Sequence, residues 1–364
     1  MTIGQKIPDS EDAIFDRACR EWQQAKVNTP WADQVGERLV PLKLVHLPHA
    51  VRGVFAVKAT SGERAIWKVE IHPSNPDALR RNLMALEQAR QVLSSVSGCG
   101  VPKILWSDVD RGLSLTEFAI GDTGRRALRG AEIGFGHRAD ILLRIGRYCA
   151  ALHENSPGNV EPFHPSPFLK QVIGTAAAVR AGKIKIARSR RFLGLCAYLH
   201  RAGRRASGLE FRRSQTHGDF HLLNLLITES CVTGVDFFNS DPKPSYLDVA
   251  RFWNNAGDHF DYTDQGRDDG EAQLSGFAGL PGADWAAFMK GYGSDLAQDP
   301  VFHFFFALQL FREWKKKIGN WQDLATDRQA QLERFTARLD WLLAAEPKGA
   351  NETKKATGRQ GSPL

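Results

Sequence analysis

"GVFAVKAT" and "RAIWKVEI", residues 53–60 and 64–71, are short apolar-rich runs with the turn-forming "SGE" between them. Two such runs on either side of a short turn predict a β-hairpin over 53–71. The pattern then changes. In "NPDALRRNLMALEQARQVLSS", Leu79, Leu83, Leu86 and Val92 recur at helical spacing, with Asp77 near the start, so a helix follows the hairpin. "KILWSDV" and "LSLTEFAI" return to strand-like runs, and "GDTG" at 121–124 breaks the pattern with turn residues. From Gly136 onward the pattern is mostly helical. The most apolar run, "VFHFFFALQLF" at 301–311, is far shorter than the roughly 20 residues a bilayer requires and predicts a buried helix.

A β-rich first third followed by a helical remainder predicts an α+β protein of two lobes. The expected division is an N-terminal helix and linker at 1–38, a small lobe at 39–120, a helical lobe at 121–345, and a polar, Gly- and Pro-containing tail at 346–364 without a packed core. No internal repeat is visible. With 364 residues, 42% of them hydrophobic, the chain can fill a substantial core. Cys19, Cys99, Cys149, Cys196 and Cys231 show no CxxC spacing, which argues against a disulfide framework or a structural zinc site. The opening "MTIGQKIPDSEDAIFDRACREW" has no apolar core of signal-peptide length, so a cytoplasmic location is expected.

Net charge is +7 but unevenly spread. From Lys170 to Arg213 there are twelve Lys or Arg against the single acid Glu210, whereas from Asp258 to Asp299 nine acids face only Arg267 and Lys290. The basic segment reads as the solvated face of two helices. Sparse aromatic interleaving, limited to Phe192, Tyr198 and Phe211, argues against a nucleic-acid surface.

One stretch breaks the helical second half. "THGDFHLLNLLI", residues 216–227, carries His217, Asp219, His221 and Asn224 among apolar residues, and Asp236 follows in "VTGVDFF". Phosphoryl transfer from a nucleotide needs a carboxylate to orient an acceptor hydroxyl and oxygen ligands for magnesium. Asp219 suits the first role, Asn224 and Asp236 the second. The segment between them reads as strand, turn and strand, so a hairpin would return Asp236 close to Asn224. Asp219 and His221 also form the D-x-H pair that opens binuclear phosphoesterase sites, but no G-N-H-[DE] or G-D-x-x-D follows to complete one.

"HGDFHLLNLL" followed by "VTGVDFFNSDPKPSYLDVARF" resembles the catalytic core of the aminoglycoside phosphotransferase and choline kinase family, relatives of the protein kinases. The resemblance implies a two-lobed protein-kinase-like fold, ATP and Mg2+ as cofactors, and a small-molecule hydroxyl as acceptor. By position it makes Asp219 the catalytic base, Asn224 and Asp236 the magnesium ligands, and Asp248 a brace for the catalytic loop. "AIWKVE" places Lys68 much as the V-A-I-K pattern places its phosphate-binding lysine. Glu87 on the following helix is the candidate partner of Lys68, with Glu70 the weaker alternative. "LTEFAIGDT" resembles the hinge, where backbone near Glu117, Phe118 and Ala119 would meet adenine. "IGRYCAALHE", 145–154, resembles the helix ending in Leu-His before the catalytic loop. Where relatives carry a turn rich in glycine or small residues over the phosphates, this chain has "LPHAVRGVF", with Gly53 as its one glycine. His217 is expected to hold the loop through hydrogen bonds of its ring, and His221 to pack the loop or face substrate.

The acidic run of Asp258, Asp261, Asp264, Asp268, Asp269 and Glu271 leans toward an amino sugar, amino alcohol or sugar-like acceptor. The basic segment before the catalytic loop points instead to a phosphorylated or lipid-linked acceptor. A degenerate kinase fold that only binds its ligand is the non-enzyme alternative, opposed by intact Lys68, Asp219, Asn224 and Asp236.

Overall fold

A computed structural model describes residues 10–30, 39–238, 241–255 and 276–346. These fall into two compact units. One holds the described residues of Met1–Phe163, Gly208–His259 and Ala286–Gln298, the other those of His164–Ser207, Phe260–Trp285 and Asp299–Leu364. Mixed sheets and helices make the fold α+β.

The first unit opens with helix α1 (Glu11–Ala25). Ser10 accepts from the Ala13 N–H, and Glu11 and Asp12 in the first turn face the positive end of the helix dipole. Ile14, Ala18, Trp22 and Ala25 lie on one stripe, all buried. That stripe covers a five-stranded antiparallel sheet of order β1-β2-β3-β6-β5, made of β1 (Val40–Leu47), β2 (Ala50–Lys58), β3 (Arg64–His72), β5 (Ile104–Asp108) and β6 (Leu113–Glu117). The predicted hairpin is β2–β3, with Lys58 opposite Arg64. Strand alternation decides the faces: Ala65, Trp67, Val69 and Ile71 of β3 are buried, and Trp67 meets Trp22 edge-on at 5.1 Å. Lys68 is therefore turned to the opposite face, away from the apolar packing. "LPHAVRGVF" is not the loop that the sequence pattern suggests. It is the end of β1, a two-residue turn at Pro48 and His49, and the start of β2.

Helix α2 (Pro76–Leu93) follows, capped by Asn75, which accepts from the Ala78 N–H, with Pro76 in the first turn and Asp77 behind it. It buries Ala85, Leu86, Ala89 and Leu93. A four-stranded sheet of order β4-β11-β10-β7 joins β4 (Cys99–Gly100), β7 (Asp122–Thr123), β10 (Leu225–Ile227) and β11 (Val232–Gly234). Helix α3 (Gly124–Glu132) leads to α4 (Arg138–Asn155), which is buried from Ile141 to His153 on its inner face. Gly146 of α4 faces the Phe288 carbonyl of helix α8 (Gly282–Tyr292), and Gly291 of α8 faces the Leu143 carbonyl, each too closely to admit a Cβ. A three-stranded sheet pairs β8 (Asn159–Pro162), β9 (Glu210–Ser214) and β12 (Lys243–Pro244), and helix α7 (Tyr246–Asn255) comes next.

The second unit contains α5 (Ser166–Arg180), α6 (Ser189–Ala206), the helix α9 (Pro300–Trp314) and α10 (Thr326–Ala344). The run at 301–311 lies in α9, where Asp299 caps the N-terminus and eleven consecutive residues from Phe304 to Trp314 include only Arg312 outside the buried class. Each fully buried Phe there contributes about 1.5–3 kcal/mol of transfer free energy. The basic segment proves less solvated than its pattern suggests. Arg201 and Arg205 both hold Glu346, Arg191 holds Asp340, and Arg188 lies 3.5 Å from Glu333. Among the described residues no helix is long and apolar enough to cross a membrane. The acidic residues Asp258 to Glu271 and the tail from 347 onward lie outside the described residues.

Candidate active site

The hairpin of β10 and β11 does what the strand-turn-strand reading requires. Leu225 pairs with Gly234, and the Val235 N–H donates to the Asn224 carbonyl at 2.9 Å, so Asp236 returns beside the loop that carries Asn224. Asp236 takes a left-handed backbone, φ 60°, which an L-residue adopts only under local constraint. Its Oδ1 forms an ion pair with Lys68 Nζ. Partial desolvation opposes ionisation of Asp236, but Lys68 holds its carboxyl below the ordinary range, with Arg52 adding to the effect.

Asp248, in the first turn of α7, is 1% exposed and accepts three hydrogen bonds. Oδ2 takes the His217 N–H at 2.6 Å and His153 Nε2 at 3.2 Å, while Oδ1 takes the Gly218 N–H at 3.1 Å. Burial works against its charge, yet these donors keep its carboxyl below the usual value. The brace thus runs from the end of α4 through Asp248 to the loop that carries His217, Gly218 and Asp219. Gly218 has φ 78°, and a Cβ there would strike the Phe238 carbonyl, so the loop needs glycine at this turn.

His217 holds the loop in another way than expected. Its backbone N–H donates to Asp248 and its carbonyl accepts from the Phe238 N–H at 2.8 Å, but neither ring nitrogen bonds another protein group. The imidazole is buried and stacked on Phe237 at 4.2 Å, and burial lowers its pKa, which keeps the ring neutral. Packing, rather than a ring hydrogen bond, is its contribution.

Asp219 is the most heavily contacted carboxylate of the loop. Arg251 Nη1 forms an ion pair with Oδ1, His221 Nε2 lies 3.3 Å from Oδ2, and Asn224 Nδ2 donates to Oδ2 at 3.1 Å and to the Asp219 carbonyl at 3.0 Å. Burial would raise its pKa, but His221 and Arg251 outweigh it and hold the group ionised well below the usual carboxylate range. Arg251 was missed as a site residue in the sequence, although "SYLDVARF" displays the signal. Three residues beyond Asp248 on one helix, it shares a face with the brace.

Two expectations fail. Glu87 does not reach Lys68; it binds Arg90 at 2.7 Å and Gln91 at 3.2 Å on its own helix, because those partners sit one turn away on the same face. Gly53 lies within β2 on the packed face, where a Cβ would meet the Phe55 ring and Ile14, so it makes room for apolar packing instead of phosphate. At the hinge, the Glu117 N–H donates to the Lys103 carbonyl and the Phe118 N–H to the Arg64 carbonyl, while the Glu117 side chain accepts from the Lys103 N–H. Ala119 follows, half-buried.

The donor chemistry of Asn224 and Asp236 fits magnesium. With its Nδ2 committed to Asp219, the Asn224 amide presents its oxygen, and the Asp236 side chain is 52% exposed. Both are hard oxygen donors, and a magnesium ion is ordinarily held by one or two carboxylates completed by phosphate and water. Among the described residues no group of three or more His, Cys, Asp or Glu gathers around a metal position.

The model of the phosphotransferase enzyme family matches residues 51–289. No curated protein matches the chain. Among solved structures, a choline/ethanolamine kinase family protein from Mesorhizobium loti is 15% identical, with 90% of this chain and 96% of that one covered and a TM-score of 0.54. Choline kinase from Cryptosporidium parvum is 15% identical, covering 89% and 95%, with a TM-score of 0.50. A macrolide 2'-phosphotransferase from Brachybacterium faecium is 14% identical, covering 94% and 100%, also at 0.50. At these identities the structural likeness shows the fold, two-lobed and kinase-like, and the family model speaks to the chemistry. The chain belongs to the phosphotransferase enzyme family.

Proposed function

We propose that this enzyme transfers the γ-phosphoryl group of ATP to a hydroxyl of an amino sugar, amino alcohol or sugar-like acceptor, with Mg2+ held by Asn224 and Asp236. The observation that carries this reading is the convergence of Lys68 of β3 on Asp236 beyond the β10–β11 hairpin, and of Asn224 on Asp219 in the loop before it. Residues 39–120 serve as the nucleotide lobe, with Lys68 on the phosphates and the backbone near Ala119 toward adenine, and residues 121–345 as the acceptor lobe. Bound magnesium would neutralise charge on the phosphates during transfer. Asp219, ionised and fixed by three neighbours, orients the acceptor hydroxyl and takes its proton as the new O–P bond forms; the bond between the γ-phosphorus and the β–γ bridging oxygen breaks, and ADP leaves. His217 and Asp248 keep the loop in place. The five cysteines are all free, in keeping with a cytoplasmic setting.

Arg251 favours a second reading of the acceptor. A guanidinium touching the base places positive charge beside the hydroxyl to be phosphorylated, which suits an acceptor with a nearby anionic group. The test is ADP release from MgATP across amino sugars, amino alcohols and phosphorylated sugars, with Asp219→Asn in parallel. Acceptor-dependent ADP release by wild type, reduced about 10²–10⁴-fold in Asp219→Asn, supports the mechanism. Equal turnover by both proteins removes Asp219 from it, and ATP binding without transfer to any acceptor favours the binding-module alternative.

A further inference from the structure

The roof of the nucleotide site is built without a loop that could offer backbone N–H groups to phosphates. Leu47 pairs with Ala50 across the Pro48–His49 turn, and β2 is paired along one edge to β1 and along the other to β3. A strand paired on both edges has its N–H groups engaged in the ladders, so this segment lacks the run of free amides with which a glycine-rich turn cradles phosphate. Its one glycine, Gly53, faces the apolar packing.

Arg52 lies on the other face. Strand alternation puts Arg52 and Val54 together there, and Val54 is the cross-strand partner of Lys68, while Arg52 stands opposite Glu70. Arg52 and Lys68 are therefore diagonal neighbours on one face, a separation of roughly 7–8 Å between such positions. The Arg52 side chain is exposed, and no hydrogen bond or salt bridge ties it to another described residue. Its charge nevertheless reaches Asp236, the carboxylate that Lys68 touches. A free guanidinium beside the phosphate lysine, above the proposed magnesium ligand, is placed where the nucleotide would concentrate negative charge.

We propose that Arg52 is a phosphate-binding residue, forming with Lys68 a two-cation clamp on the nucleotide polyphosphate in place of a backbone amide cradle. The two cations divide the work by their chemistry: lysine acts as a compact point charge, and arginine as a planar fork able to bind two phosphate oxygens at once. The inference rests on the nucleotide site of the proposed function.

Calorimetric titration of ATP, ADP and AMP in excess Mg2+ into wild type, Arg52→Met, Arg52→Lys and Arg52→Gln tests it, with the melting temperature of each unliganded protein as the folding control. Arg52→Met is expected to weaken ATP about tenfold, the loss of one charge-assisted phosphate contact, with a smaller effect on ADP and none on AMP, and Arg52→Lys to recover part of the loss. Unchanged ATP affinity in Arg52→Met overturns the inference alone. Equal weakening of ATP and AMP also overturns it, since the effect then has no phosphate dependence. Absence of ATP binding by wild type at millimolar concentration overturns the nucleotide site and the clamp together. If Arg52→Met does not fold, Arg52→Gln gives the same comparison at nearly unchanged polarity.

Discussion

Arg251 on α7 is in ion-pair contact with Asp219 on the catalytic loop, 32 residues earlier in the chain. The same helix carries Asp248, which binds the backbone of His217 and Gly218. One helix therefore fixes both the loop's backbone and the side chain of its proposed base.

This contact predicts a selective defect in Arg251→Met. Asp219 would keep His221 and Asn224 but lose the partner that sets its orientation from the α7 side. The expected result is a fall in kcat of roughly 10–100-fold from misplaced geometry, with the Kd for MgATP unchanged. Arg251→Lys should recover only part of the rate, because an ammonium lacks the planar fork. Steady-state kinetics with calorimetric ATP binding separates the two parameters; a matching loss in both would mean that Arg251 acts on the nucleotide.

Asp236→Ala is expected to make nucleotide binding indifferent to magnesium. The substitution removes a hard oxygen donor and releases Lys68, so ATP can still meet a cation but without the metal bridge. Thermal shift with ATP, with and without Mg2+, reads this directly. Retention of the wild-type magnesium dependence would exclude Asp236 as a ligand.

Glu87→Gln should leave ATP affinity within about twofold of wild type, because Glu87 is engaged with Arg90 and Gln91 and not with Lys68. An exposed helix pair of this kind contributes little to stability. ATP titration of the variant is the check, and a large loss would show that Lys68 exchanges Asp236 for Glu87 when nucleotide binds.

The Asp248 brace predicts a pH dependence of stability. Its folded pKa is depressed, so its contribution is fully present above the unfolded value, about 3.9, and is lost as pH falls through that value toward the folded one. Asp248→Asn should lower stability at pH 7 by about 3 kcal/mol, the cost of disrupting a buried charged acceptor. The difference from wild type should narrow below about pH 4, as the wild-type carboxyl begins to protonate. Melting temperatures of both proteins from pH 7 to pH 3 test the sign; a gap that widens on acidification would contradict it.

Much of the site was legible because its order is local. The spacing of His217, Asp219 and Asn224, the hairpin that returns Asp236, and the alternation that turns Lys68 away from Trp67 each depend on contacts within a single loop, turn or strand. The buried helix at 301–311 was legible for the same reason. The loop expected at "LPHAVRGVF" was misread because Pro48 and His49 close a two-residue hairpin, leaving Arg52 and Gly53 inside a strand. The ring of His217 was misassigned because stacking on Phe237, twenty residues later, leaves no mark in the motif itself.

The amino-acid sequence by itself determined the β-rich start, the helical remainder and the set of chemical groups in the catalytic loop, since helical period, strand alternation and turn residues act over a few positions. Tertiary structure alone decided which charges meet: Lys68 with Asp236 across 168 residues, Asp219 with Arg251, and the arginines of α6 with Asp340 and Glu346. Ionic partners are chosen by distance and burial after the elements have packed. Several side chains of equal charge in one sequence offer no local pattern that distinguishes the eventual partner from the rest.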